Sequence, residues 1–121
     1  MIRRANYEAQ EQIAVAQYIR YRYPKVLFTA STAGVKLPLL VALQLKRMGA
    51  RRGAPDLMIF SPRGMSHGLF IEMKRSPKFG ASQSSPEQIE WRRLLIERGY
   101  EAYECKGFDE AKTVIDTYLA D

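Results

Sequence analysis

The chain has 121 residues, 46% of them hydrophobic and 26% charged, the balance of one ordinary globular domain over 1–121 rather than a disordered tail. Lys and Arg number 19 against 13 Asp and Glu, a net charge of +6, which favours an anionic partner such as nucleic acid. One Cys and one His exclude an internal disulfide and a cysteine-rich zinc site, and no run reaches the roughly 20 apolar residues of a membrane span. Met1 to Glu8 lacks the apolar stretch of a signal peptide, so the expected location is cytoplasmic.

The first helix is expected over 6–22. Asn6 suits its cap, Glu8 and Glu11 suit its early turns, and Gln12, Val15 and Ile19 form a stripe. Tyr23-Pro24 stops it. A short apolar strand follows over 26–30, then the loop Ser31-Thr32-Ala33-Gly34. Pro38 opens a second helix over 38–48, closed by Gly49. A basic loop leads into a strand over 56–61. A turn and a second strand over 68–74 make an antiparallel pair with it.

After the polar loop 75–84, Ser85-Pro86-Glu87-Gln88 reads as an N-cap, Pro at the first helical position and a capping-box Gln. That helix runs to about Arg98 with Trp91, Leu94 and Leu95 on one stripe. A strand over 100–105 and a helix over 109–119, with Ala111, Val114, Ile115 and Tyr118 inward, close the chain. The strand–helix–strand crossover predicts a parallel pair. The fold class is therefore α/β, a mixed sheet of four strands flanked by helices.

Chemistry concentrates in three segments: Gly53-Ala54-Pro55-Asp56, Ile71-Glu72-Met73-Lys74 and Ser85-Pro86-Glu87-Gln88. Strand alternation puts Phe70, Glu72 and Lys74 on one face and Leu69, Ile71 and Met73 on the other. An antiparallel pair brings Asp56 beside Glu72. Two carboxylates about 4 Å apart repel by roughly 4 kcal/mol at an effective dielectric of 20, and a hard divalent cation between them removes that repulsion. Taken singly, Asp56 is also a plain strand-start residue, Glu72 with Lys74 a solvated face, and Gln88 only a cap. Lys46, Arg47, Arg51 and Arg52 lead into Asp56, and Arg75 and Lys78 follow Lys74, a setting for backbone phosphates. His67 reads as a loop residue, Cys105 as a buried small hydrophobe and Trp91 as core.

Together these segments resemble the PD-(D/E)XK phosphodiesterase superfamily, through Pro55-Asp56 and Glu72-Met73-Lys74. The closer likeness is to its VRR-NUC family, through Gly53 to Leu57, Gly68 to Lys74, Ser85 to Gln88 with Trp91, and Gly107-Phe108-Asp109-Glu110-Ala111. The resemblance implies a restriction-endonuclease-like fold and a Mg²⁺- or Mn²⁺-dependent endodeoxyribonuclease. Asp56, Glu72 and the Met73 carbonyl would be ligands, Lys74 the water-positioning group and Gln88 a contact to the centre. It also implies an acid on the first helix, Glu8 with Gln12 or, failing that, Glu11. Stand-alone, phage-like members look like homodimers that cut branched DNA such as four-way junctions, in the cytoplasm of a bacterial or phage-infected cell. A non-cleaving DNA-binding module and an endonuclease acting on linear duplex are the competing readings. The chain departs from the pattern at Ser31 to Gly34, where such members carry an Asn-Gly pair.

Overall fold

Asn6 accepts the Ala9 amide at 3.0 Å and so opens helix α1, Tyr7–Arg22. Val15 and Ile19 of that helix are wholly enclosed. Each such burial is worth about 1.5–3 kcal/mol, which is what seats α1 on the sheet. The structure is a computed structural model that describes residues 6–32, 35–80 and 82–120. Ala33 and Gly34 of the expected loop Ser31-Thr32-Ala33-Gly34, where the chain departs from the Asn-Gly pair, lie outside the described residues.

The remaining elements are β1 (Phe28–Ala30), α2 (Leu39–Arg47), β2 (Leu57–Ile59), β3 (Leu69–Lys74), a 3-10 turn (Pro77–Phe79), α3 (Pro86–Glu97), β4 (Glu101–Lys106) and α4 (Phe108–Leu119). The four strands form one mixed sheet in the order β1-β2-β3-β4. The first two pairings are antiparallel and β3 with β4 is parallel, as the crossover through α3 requires. Expected and observed elements agree in kind and order. Their ends differ: β1 and β2 keep only three residues each, although the Phe60 amide still donates to the Leu27 carbonyl at 2.9 Å just beyond them. Pro38 precedes α2 as its cap instead of starting it, and α4 starts from Gly107 with no side-chain cap.

One face of the sheet carries α1 and α4. Leu57, Ile59, Leu69, Ile71, Met73 and Cys105 pack there against Val15, Ile19, Ala111 and Ile115. Leu119 joins this core, and Val114 is only partly buried beside it. Tyr18 and Tyr23 of the first helical segment both donate to Asp116 of α4, at 2.6 and 2.7 Å. On the other face Phe70 and Ala102 pack with Leu95 of α3, and Met58, Trp91 and Tyr100 complete the cluster.

Gly107 sits at a close crossing. Its φ is +95°, and a Cβ there would come within 2.9 Å of Glu11 Oε1 and 3.0 Å of Ser76 Cβ. Only glycine lets α1, the end of β3 and the start of α4 meet this tightly. His67 is an exposed loop residue against Tyr100. Cys105 is enclosed, and burial pushes its thiol up to about 12, far from a nucleophile's range.

Candidate active site

The β2–β3 register explains why Asp56 and Glu72 meet. Leu57 pairs with Ile71, so the next step outward pairs Asp56 with Glu72. Asp56 lies one residue before β2. Its carbonyl accepts the Ser31 amide at 2.9 Å, and its Oδ2 accepts the Met73 amide at 2.7 Å. The carboxylate is thereby tied to the backbone of the strand that carries Glu72. Upstream, Gly53 at φ +92° lies so close to α3 that a Cβ would reach within 2.7 Å of Glu87. The loop before Asp56 is thus pressed onto the start of α3.

Glu72 and Lys74 are 4% and 6% exposed, so the solvated-face alternative fails. They are buried on the α3 side of the sheet, and that burial would be costly without partners. Gln88 supplies the partners. Its Nε2 donates to Glu72 Oε2 at 2.8 Å, and its Oε1 accepts from Lys74 Nζ at 3.0 Å. The same Oε1 accepts the Ser85 amide at 2.8 Å, completing a capping box in which Ser85 Oγ takes the Gln88 amide at 3.2 Å. Cap and site contact are one side chain's two jobs. Lys74 Nζ lies 3.9 Å from Glu72 Oε2 as well.

The other oxygen, Glu72 Oε1, is buried and takes no donor among the described residues, and the Asp56 carboxyl is the group beside Glu72. Burial, and then the charge of Asp56, push the Glu72 carboxyl up to about 9. A buried carboxylate with one bare oxygen beside a second carboxylate is a site that fits a hard cation. Among the described residues no group of three His, Cys, Asp or Glu side chains gathers to hold a metal. Two carboxylates with waters are a donor set that Mg²⁺ tolerates.

Glu8 and Glu11 part company. Glu11 accepts the Ser76 amide at 2.9 Å and the Phe108 amide at 3.2 Å, which commits it to joining α1, β3 and α4. Glu8 accepts the Ser82 hydroxyl at 3.1 Å, and the Asp56 carboxyl, raised first by burial, is raised further by the charge of Glu8. Of the two acids, Glu8 is the one that faces the site. Tyr7, beside it, stacks on Phe79 with ring centres 4.0 Å apart, and Lys78 lies over Phe79.

Lys46, Arg47, Arg51, Arg52 and Lys78 are exposed, and Arg75 is half-buried. Arg51 lies 5.2 Å over the Trp91 ring, whose Nε1 donates to the Arg52 carbonyl at 3.1 Å. Trp91 is thus half core and half clamp for the basic loop. Sequence reasoning passed over Arg92. It donates to Ser84 Oγ at 3.0 Å, lies 3.8 Å from Glu104, and its charge reaches Glu72. Ser84 also donates to Glu104. Arg92 is four residues after Gln88, so the helical stripe through Gln88 was the signal for it.

The model of the VRR-NUC domain family matches residues 5–109. The chain belongs to the VRR-NUC family. A solved structure titled VRR_NUC domain protein is 31% identical, with a TM-score of 0.76, and the match covers 97% of this chain and 91% of that one. A second, titled VRR_NUC domain, shares the fold at 23% identity and TM-score 0.57, covering 95% of this chain and 100% of that one. No curated protein matches the chain. The VRR-NUC fold is a nuclease fold of the PD-(D/E)XK kind, and the four-stranded mixed sheet described above is consistent with it. No helix among the described residues is long and apolar enough to cross a membrane.

Proposed function

We propose that this VRR-NUC domain is a metal-dependent endodeoxyribonuclease that hydrolyses backbone phosphodiesters of branched DNA such as four-way junctions, working as a homodimer. The observation that carries the reading is the bare, buried Glu72 Oε1 beside Asp56. Asp56, Glu72 and the Met73 carbonyl would hold Mg²⁺ or Mn²⁺. Bound there, the ion would supply Lewis acidity and would lower the pKa of a water, so that its deprotonated form is available as the nucleophile.

The chain's own groups do the rest. Lys74, steadied by Gln88 at 3.0 Å, orients the attacking water and offsets charge growing on the scissile phosphate. Gln88 holds one oxygen of Glu72 and so keeps the other aimed at the ion's place. Glu8, from α1, adds a third negative charge near Asp56. Lys46, Arg47, Arg51, Arg52, Arg75 and Lys78 meet phosphates with no base readout, so affinity falls steeply with salt. The preference for branched DNA follows from the likeness to stand-alone members of the family.

Cleavage of a four-way junction, compared with its linear arms in Mg²⁺ and in Mn²⁺, tests the proposal, with Asp56→Ala as control. Junction cleavage lost in the control supports it. Equal cleavage of the arms turns the reading to a linear-duplex endonuclease. Tight metal-independent binding with no cleavage of any DNA leaves only a binding module.

A further inference from the structure

The fold treats two neighbouring arginines of α3 differently. Arg93 is exposed and closes ion pairs along its own helix, 2.5 Å from Glu90 and 2.6 Å from Glu97. Solvated pairs at that spacing steady a helix by a few tenths of a kcal/mol and do little else. Arg92 lies one helical turn past Gln88, and its side chain is only 19% exposed. It reaches off the helix, donating to Ser84 Oγ at 3.0 Å and standing 3.8 Å from Glu104 Oε2. Strand β4 pairs Glu104 with Glu72, so Arg92, Glu104 and Glu72 share the α3 side of the sheet.

The Arg92–Glu104 pair is loose for one so shielded. A guanidinium carries five donors in a planar fork. Among the described residues one hydrogen bond holds it, to Ser84, and Glu104 lies beyond hydrogen-bond reach. The Glu104 oxygen nearest Arg92 is also the one that takes the Ser84 hydroxyl. Ser84 therefore stands between the two charges and holds both. An arginine buried for stability alone is best served by a bidentate carboxylate pair. Arg92 is instead held by one edge of its fork.

Its charge also reaches Glu72, working against the rise that burial and Asp56 impose on that carboxyl. A cation docked on Glu72 takes over that role and leaves the guanidinium beside like charge. The loaded site thus calls for an anion at Arg92. Of the cations felt at Glu72, Lys74 is bonded to Gln88, while Arg92 has donors to give. The planar fork matches two oxygens of a phosphodiester. The exposed Lys and Arg side chains of the loops can meet the DNA backbone at many places, whereas an arginine fixed by Ser84 registers one phosphate.

We infer that Arg92 grips the two non-bridging oxygens of the backbone phosphate presented to the Asp56–Glu72 site, and that Ser84 and Glu104 hold the fork ready for it. That this phosphate is the one cut rests on the nuclease reading; the contact itself is read by binding and needs no cleavage.

Junctions carrying a single neutral methylphosphonate, moved one linkage at a time, test it by their affinity in Ca²⁺. With the unaltered chain one linkage stands out, and neutralising it weakens binding about 10–100-fold. Arg92→Gln binds the unmodified junction that much more weakly, and neutralising the same linkage then adds no further loss, while the other linkages keep their effects. Arg92→Lys keeps the charge without the fork and recovers part of the loss; it carries the same comparison should Arg92→Gln fail to fold by far-UV circular dichroism. Glu104→Gln removes the anion that competes for Arg92 and tightens binding. Additive penalties at every linkage in the Arg92 variants, or weaker binding by Glu104→Gln, make Arg92 a strut between α3 and β4 and overturn the inference. A linkage silenced by Arg92→Gln in a protein that cuts no DNA in Mg²⁺ or Mn²⁺ keeps the contact and fails the nuclease reading. Cleavage with no such linkage does the reverse.

Discussion

Glu72 takes the Gln88 side-chain amide on one oxygen at 2.8 Å and leaves its other, buried oxygen without a donor among the described residues. Gln88 is therefore the residue that decides which way the carboxylate faces. Gln88→Ala removes half of a capping box and the bridge between Lys74 and Glu72. The expected cost is about 1–2 kcal/mol of stability, and turnover about 10–100-fold lower. Thermal melts and single-turnover cleavage measure the two separately. A variant that loses stability while cutting at the original rate would reduce Gln88 to a cap.

The raised Glu72 carboxyl makes metal-free stability depend on pH. Its folded value of about 9 lies above the ordinary 4.5, so the folded state binds the proton more tightly than the unfolded chain. That contribution is whole below about pH 4.5 and is lost as pH climbs through about 9. The melting temperature of the metal-free protein should fall across this window, and Glu72→Gln should flatten the slope. Mn²⁺ needs the ionised form, so its uptake at neutral pH should release a proton. Titration calorimetry in two buffers of different ionisation enthalpy reads that proton. Identical heats in both would contradict the assignment.

Much of this site was legible because its parts obey short-range rules. The two-residue period of 69–74 gave the shared face of Glu72 and Lys74, and the pairing that sets Asp56 against Glu72 follows from one antiparallel hairpin. Ser85 to Gln88 announced a helix start and, through it, the position of Gln88. Alternation alone does not say whether a face is covered, so the burial of Lys74 had to wait for α3. Arg92, Ser84 and Glu104 meet only because β4 lies parallel to β3 and pairs Glu104 with Glu72. The role of Glu11 depends on the close crossing at Gly107, which no local pattern encodes.

Asp56 and Lys74 should separate binding from turnover. Asp56→Asn keeps an oxygen for the Met73 amide and loses the charge. Mn²⁺ affinity should drop by at least the roughly 10–100-fold that even an indirect change costs. Lys74→Ala, or Lys74→Met to keep the volume, should fold cooperatively and bind Mn²⁺, with turnover down by about 10²–10³. Undiminished Mn²⁺ affinity in Asp56→Asn would remove that residue from the ligand set.

Glu8 and Glu11 offer a paired test on one helix. Glu11 receives two backbone amides, from Ser76 and Phe108. Glu11→Ala strands both donors at the junction of three elements, and should cost about 2–4 kcal/mol. Its residual folded fraction should still cut DNA. Among the described residues Glu8 receives the Ser82 hydroxyl and no backbone amide, so Glu8→Ala should stay within about 1 kcal/mol of the original stability. Its charge acts on Asp56, so turnover is where its loss should register. Chemical denaturation and cleavage per folded molecule, measured on both variants, distinguish the roles. If Glu8→Ala unfolds the domain and Glu11→Ala silences it, the acid that serves the site is Glu11.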